Sequence, residues 1–161
     1  MTREGALTMK EDTLIQLVVF KLDKEEYGFE VSSVREIHDM EDVARVHRAA
    51  SHIEGVVNLR GKLLTVVNLR KRFEMKAEGA PNPKIVVVDA PDAPVGFMVD
   101  EVVEVARVPA EAIEKAPAYV TSGIEAQYVV GIVKLEGRLI TLIDPMKVLE
   151  LSEENLTQPR R

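Results

Sequence analysis

A chain of 161 residues is long enough for one compact domain or for two small barrels that share a core. Its hydrophobic fraction of 46% and charged fraction of 30% are typical of a globular protein and argue against disorder. The net charge of -6 disfavours a nucleic-acid partner, and the absence of cysteine excludes disulfides and thiolate metal sites.

In the first half of the chain, apolar runs alternate with turns, which indicates short strands. A flexible tail is expected over 1–13, a mostly buried strand over 14–22 and a second strand over 27–31. Ser33 and Glu36 have the spacing of a capping box, which fits one turn of helix, although the same stretch also fits a strand. Residues 55–68 predict a hairpin with Gly61 in its turn, and Asn68 is expected to cap a short helix over 69–75.

The second half shows a similar order of elements. Strands are expected over 85–88 and 95–99, and residues 109–118 are interpreted as a connection. A second hairpin is expected over 128–143, with Gly137 in its turn. Asp144 followed by Pro145 predicts the start of a helix that ends near Asn155, and a flexible tail is expected over 156–161.

Two segments occur twice in the same order, which indicates an internal duplication. Residues 28–37 resemble residues 96–105, and residues 55–68 resemble residues 131–144, with Thr65 aligned to Thr141. We therefore expect two copies of one small β unit over 14–75 and 84–150, each with about five short strands and one short helix. The repeat leaves open whether strands are exchanged between the two units.

No set of residues in the sequence points to catalysis, a metal site or a cofactor. His38, His47 and His52 form no i,i+4 pair and lie in no zinc-protease motif, so they are interpreted as solvated loop residues. Arg70 and Arg72 are interpreted as the solvated face of a short helix. The apolar runs are far shorter than the roughly 20 residues that a membrane helix needs.

Arg60 differs from its counterpart in the second repeat. It lies at the tip of the first hairpin, where the second repeat has Glu136, while Glu36 aligns with Glu104. Arg60 is either an exposed turn residue or an arginine that pairs with a carboxylate or faces a partner. Because opposite charges at these two places occur only in the first repeat, we expect Arg60 to pair with Glu36.

Four stretches of the sequence resemble the CheW-like domain family. They cover residues 27–37, 54–61, 65–73 and 95–105, within a likeness that runs from about Leu14 to Leu149. The stretch Gly-Val-Val-Asn-Leu-Arg-Gly at 55–61 is highly specific when it occurs in order with the others. The resemblance implies a single domain over 14–150 that is mostly β, with two five-stranded SH3-like or OB-like barrels sharing a core and a C-terminal helix.

The resemblance also implies a function. Stand-alone members of the family are non-catalytic adaptors that couple chemoreceptors to the histidine kinase CheA in bacterial-type chemotaxis, and 161 residues leave no room for the kinase or receiver domains that other members carry. One barrel is expected to dock on the regulatory domain of CheA. The groove between the barrels is expected to receive the cytoplasmic tip of a methyl-accepting chemoreceptor. The expected location is cytoplasmic, at receptor arrays on the inner face of the membrane, without direct membrane insertion or nucleic-acid binding.

Eight residues in the matching segments are the expected partner-binding residues. They are Val34, Glu36, Ile37, Val56, Asn58, Arg60, Gly61 and Val102. The sequence departs from the family pattern at Val46-His-Arg-Ala-Ala50, where two common prolines are missing. The alternative function is a small-barrel module that binds a ligand or an oligonucleotide, although the acidic charge and the aromatic fraction of 4% count against base stacking. No motif supports an enzyme.

Overall fold

The computed structural model describes residues 14–40, 43–46, 51–76, 80–115 and 126–149, and most of these lie in strands. The strands are β1 Leu14–Leu22, β2 Glu25–Glu30, β3 Val34–Asp39, β4 Ile53–Leu59, β5 Lys62–Asn68, β6 Lys84–Val88, β7 Val95–Val99, β8 Glu101–Pro109, β9 Ile113–Glu114, β10 Val129–Leu135 and β11 Arg138–Ile143. The predicted mostly β class is therefore confirmed. The strand reading of residues 34–37 is correct and the helical one is wrong.

Helical structure in the described residues is short. Single 3-10 turns lie at Val31–Ser33, Ala110–Ala112 and Ala126–Tyr128. The Leu69–Arg72 helix is capped as predicted, because the side chain of Asn68 accepts a hydrogen bond from the amide of Lys71 at 3.2 Å, although it ends before the expected residue 75. A second helix occupies 145–149, and the carboxylate of Asp144 accepts the amide of Met146 at 2.9 Å. The rest of the expected C-terminal helix and both expected tails lie outside the described residues.

The strands form two sheets with different relations to the chain. The five-stranded sheet has the order β3-β6-β7-β5-β4 and uses consecutive strands. The six-stranded sheet has the order β8-β1-β2-β11-β10-β9 and joins the first two strands to the last four. In the described part of the chain, backbone pairing does not close either sheet into a complete barrel. Residues 101–109, which the sequence left unassigned apart from the repeat, form β8, and β9 lies within the expected connection.

The registers of the two sheets show the duplication directly. In the six-stranded sheet, β11 pairs in parallel with β2 and places Leu142 beside Gly28. In the five-stranded sheet, β5 pairs in parallel with β7 and places Val66 beside Gly96. The sequence repeat aligns Gly28 with Gly96 and Val66 with Leu142. A residue of one repeat therefore has a structural counterpart in the other sheet.

Three apolar clusters hold the fold together. Each sheet buries one cluster of its own, and a third and larger cluster lies between the sheets. Phe29 and Phe97, which are counterparts in the repeat, meet in the shared cluster with ring centroids 5.4 Å apart. In β1, Leu17 contributes to the cluster of its own sheet while Phe20 contributes to the shared one. This burial on both faces explains why β1 is a nearly continuous apolar run.

Three glycines have positive φ angles: one in each hairpin turn, and Gly55 in the edge strand β4. Gly61 and Gly137 have φ of +84° and +80°, as the sequence predicted for their turns. Gly55 has φ of +148°, and a Cβ built on it would lie only 2.3 Å from the carbonyl oxygen of Ala44. A side chain at Gly55 would therefore be strained by its backbone angle and would also displace the segment that pairs with β4.

Gly55→Ala is expected to destabilise the protein more than Gly61→Val. The turn glycine has open space around its added Cβ, so Gly61→Val costs only backbone strain, about 1 kcal/mol or somewhat more. Gly55→Ala adds the steric conflict with Ala44, and we expect a loss of about 2–3 kcal/mol in the free energy of unfolding. Urea denaturation of both variants measures the difference. An unchanged curve for Gly55→Ala would contradict the close approach to Ala44.

Candidate partner-binding site

An ion pair connects the two edge strands of the five-stranded sheet. Arg60, at the tip of the β4–β5 hairpin, donates from Nη2 to Oε2 of Glu36 on β3 at 2.6 Å, so the predicted pair is present. Because β3 and β4 are the two ends of the hydrogen-bonded order, the pair bridges edges that no described strand pairing joins. The Arg60 side chain is 65% exposed, which leaves much of the guanidinium accessible to a partner.

The turn geometry explains how Arg60 reaches Glu36. Arg60 itself has φ of +54° and is followed by Gly61, so both central residues of the turn are left-handed, as in the turns that favour tight hairpins. The side-chain oxygen of Asn58 accepts the amide of Gly61 at 2.9 Å and stabilises the tip. Three of the expected partner-binding residues thus form one hydrogen-bonded turn, and a fourth, Glu36, contacts it.

The carboxylate of Glu36 has a histidine as its second close neighbour. Nε2 of His38 lies 2.8 Å from its other oxygen, but the contact lacks hydrogen-bond geometry, so we regard Arg60 as the main partner. The pKa of the Glu36 carboxyl lies below its usual range, chiefly because of the hydrogen bond from Arg60 and next because of His38. Glu36 therefore stays charged well below neutral pH.

The second sheet contains an ion pair that the sequence analysis missed. Arg138, one residue after the turn glycine of the second hairpin, contacts Glu104 and also lies 3.0 Å from Glu26. The second repeat has like charges at the two aligned places, Glu104 and Glu136, but Arg138 supplies the opposite charge two residues after Glu136. The visible signal was Arg138 at the place of Lys62.

The aliphatic members of the expected site are less exposed than predicted. Val34 and Val102 are half-buried and pack against the cluster shared by the sheets, and Val56 is half-buried on β4, where it pairs with Ala44. Ile37 is 40% exposed. An aspartate at Val34 would therefore disturb the core as well as the surface, so Ile37 is the better position for testing an apolar contact.

Exposed aliphatic residues occur at matching places in both sheets, which the sequence analysis did not anticipate. Leu63 and Leu139 follow the two hairpin turns and are 73% and 56% exposed, and Ile37 has a counterpart, Val105, that is more exposed than Ile37 itself. Leu63 lies beside Arg60 and Glu36 in a surface groove that also includes Pro94. The strand alternation of Lys62-Leu-Leu-Thr65 was the available signal, since it places one of the two leucines outside.

Arg70 is buried, and the interpretation as a solvated helix residue was wrong. Its Nε and Nη2 donate to the two carboxylate oxygens of Asp100 at 2.8 and 2.6 Å, Nη2 also donates to Asp23 at 2.6 Å, and Nη1 donates to the carbonyl of Lys76 at 3.0 Å. Burial alone would raise the pKa of Asp100, but hydrogen bonds from Arg70 and from the amide of Asp23 hold it below its usual value. We call Arg70, Asp23 and Asp100 the arginine clasp.

The solvated loop or helix positions expected for two of the three histidines and for Arg72 also differ from the structure. His52 is buried at 5% exposure, and burial followed by the nearby charge of Arg72 lowers its pKa. His38 belongs to strand β3, whereas His47 lies outside the described residues. The guanidinium of Arg72 lies 5.3 Å from the centre of the Tyr128 ring, where it covers the shared core.

The part of the chain that the structure describes has neither a cluster of metal ligands nor a membrane-spanning helix. In the ranges that the structure describes, no three histidine, cysteine or acidic side chains are grouped so that they could hold a metal ion. The helices found in those ranges are all too short or too polar to cross a membrane.

Comparisons with known proteins agree with the resemblance. The profile of the CheW-like domain matches residues 16–153. A relative from Bacillus subtilis, a chemotaxis protein CheW, is 32% identical over 154 residues, which cover 95% of this chain and 98% of the relative. The chemotaxis protein CheW of Treponema pallidum is 29% identical, with 88% and 86% covered. The crystal structure of the scaffolding protein TtCheW from Thermoanaerobacter tengcongensis superposes with a TM-score of 0.77 at 32% identity, covering 83% of this chain and 86% of that one.

Proposed function

The chain belongs to the CheW-like domain family, and from this we infer that it is a non-catalytic adaptor of bacterial-type chemotaxis signalling. It couples receptors to the chemotaxis kinase and performs no reaction of its own. Relatives that match nearly the full chain carry the inference. The small-barrel ligand-binding alternative is not favoured, because the relatives named above are chemotaxis and scaffolding proteins.

For the partners, we propose the regulatory domain of CheA and the cytoplasmic tip of a methyl-accepting chemoreceptor. The proposed location is at receptor arrays on the inner face of the membrane. The observation that supports a partner surface is the Arg60–Glu36 pair, whose arginine is exposed at a hydrogen-bonded turn and lies in the same groove as the exposed Leu63. Ile37, Asn58 and Gly61 extend this proposed surface, and the half-buried Val34, Val56 and Val102 complete it.

Arg60→Ala is expected to weaken binding of a receptor cytoplasmic fragment, of the CheA regulatory domain, or of both by about five-fold or more. The melting temperature should stay close to that of the wild type, because an exposed ion pair adds little to stability. Glu36→Ala should give a similar defect, and the double variant should be little worse than either single one, since both changes remove the same contact. Isothermal titration calorimetry with each partner measures these affinities.

A matched control is available on the same strand. Asp39 forms an exposed pair with Lys84, and neither residue lines the groove of Arg60 and Leu63, so Asp39→Ala removes an equivalent surface charge outside the proposed contact. We expect native affinity for this variant. If the Arg60 and Glu36 effects simply add in the double variant, the two residues are independent contacts, and Arg60 touches the partner directly. Native affinity for both single variants would remove the pair from the partner surface.

A further inference from the structure

Among the ion pairs of the described residues, only those of Arg70 connect the two sheets. Arg70 is the second residue of the capped helix that follows β5 of the five-stranded sheet. Asp23, its partner, lies in the β1–β2 turn of the six-stranded sheet. Asp100 lies at the point where the chain passes from β7 in one sheet to β8 in the other. The remaining ion pairs, including Arg60–Glu36 and Arg138–Glu104, each stay within one sheet.

The arginine clasp restricts the orientation of one sheet relative to the other, which the shared apolar cluster does not. The cluster between the sheets consists of aliphatic side chains and tilted rings, and apolar burial is non-directional. The guanidinium of Arg70 is planar, and its donors match two carboxylates and one carbonyl in a fixed fork. A rotation of one sheet against the other would keep much of the apolar contact but would break the hydrogen bond from Arg70 to Asp23.

The clasp also lies close in the chain to the partner surface. Val102 lies two residues after Asp100, in β8 of the six-stranded sheet. It packs against the same cluster as Val34, which belongs to the five-stranded sheet. The amide of Asp100 donates to the carbonyl of Lys21 at 3.0 Å, which ties the start of β8 to β1. The orientation of the sheets therefore determines how the elements that carry Val34 and Val102 face each other.

We propose that Arg70, through its contact with Asp23, is a positioning residue that fixes the relative orientation of the two sheets and thereby the shape of the receptor-binding surface that they form together. Arg70 acts from a buried position and does not touch the partner. The part of this inference that concerns binding rests on the proposed function, whereas the part that concerns sheet orientation stands on the clasp geometry alone.

Asp23 offers a matched pair of variants. Its φ is +59°, a value that asparagine and glycine both tolerate well. Asp23→Asn keeps a side-chain oxygen that can accept from Nη2 of Arg70, whereas Asp23→Gly removes it. The amide of Asp23, which donates to Asp100 at 2.7 Å, is present in both variants. The two variants thus differ in the direct hydrogen bond from Arg70 to Asp23, and Arg70 keeps its two hydrogen bonds to Asp100 in each.

The orientation is measured with spin labels, one in each sheet. The chain has no cysteine, so Leu63→Cys and Leu139→Cys introduce two unique and exposed labelling sites, on β5 and β11. Pulsed electron paramagnetic resonance gives the distribution of distances between them. We expect Asp23→Gly to shift or broaden the distribution and Asp23→Asn to resemble the wild type. A distribution in Asp23→Gly that matches the wild type would overturn the proposal.

Binding is measured on the unlabelled proteins with a purified receptor cytoplasmic fragment that contains the hairpin tip. We expect Asp23→Gly to bind about five-fold more weakly than the wild type, and Asp23→Asn to remain within about two-fold. Equal affinity of Asp23→Gly and the wild type would overturn the positioning role. If the wild-type protein itself fails to bind, the proposed function is wrong, and the spin-label distances decide the claim about sheet orientation by themselves.

Discussion

Arg70→Met is expected to lower the free energy of unfolding by about 3–5 kcal/mol, the range for breaking one side of a buried ion pair. Arg70 is 5% exposed, and its loss leaves the largely buried carboxylate of Asp100 without its main partner. Methionine retains a long, flexible side chain, so the loss reports mainly on charge and hydrogen bonding. Urea denaturation at neutral pH gives the value.

Two controls test this cause. Arg70→Met combined with Asp100→Asn should be more stable than Arg70→Met alone, because no buried charge is then left unpaired. Arg35→Met, which breaks the exposed pair with Asp89, should cost only about 0–1 kcal/mol. A loss below about 1 kcal/mol for Arg70→Met would show that water replaces the arginine without penalty.

Acid should weaken the clasp in the wild type. The pKa of Asp100 is lower in the folded protein than in the unfolded chain, so the unfolded chain binds more protons as the pH falls. The stabilisation is therefore fully present above the usual carboxyl pKa of about 3.9 and is lost as the pH drops through the lower, folded value. Asp100→Asn should lose less stability than the wild type over this acidic range, as measured by denaturation at stepped pH.

Phe97→Ala is expected to cost about 3–5 kcal/mol in the free energy of unfolding. Phe97 is fully buried in the shared cluster and packs on Phe29 across the boundary between the sheets, so its removal leaves a cavity with walls from both sheets. Phe29→Ala should have a similar cost because Phe29 is the structural counterpart. The same urea titration measures both variants.

The double variant and a surface control complete this test. Phe29→Ala and Phe97→Ala together should cost less than the sum of the single losses, because the rings contact each other. Leu63→Ala should change stability by no more than about 0.5 kcal/mol, since the side chain is 73% exposed. Additive losses for the two phenylalanines would mean that the rings do not share one cavity.

Local features were predictable from the sequence because their causes are local. The turns at Gly61 and Gly137 and the helix caps at Asn68 and Asp144 depend on a few neighbouring residues, and the structure has them where they were expected. The Arg60–Glu36 pair was predictable for another reason, since the repeat supplied a second copy without that combination of charges at the same two places.

Long-range features were not predictable in the same way. Arg70 stands in a polar four-residue helix, and its carboxylate partners lie 30 and 47 positions away, so no spacing rule connects them. The burial of His52 depends on packing near Arg72 and could not be distinguished from a loop residue by its neighbours in sequence. The half-burial of Val34 and Val102 depends on how two sheets meet, which strand periodicity does not specify.

The order of strands in the six-stranded sheet has a consequence for synthesis of the chain. Strands β3–β7 are consecutive, so their sheet can assemble while later residues are still being added at the ribosome. Strands β1 and β2 are made first but pair with strands made last, and the contacting residues Glu26 and Arg138 are 112 positions apart. Until β11 emerges, the apolar β1–β2 hairpin has an unpaired edge that can associate with other nascent chains. A chaperone that holds this hairpin would act during the interval between synthesis of the two halves of one sheet.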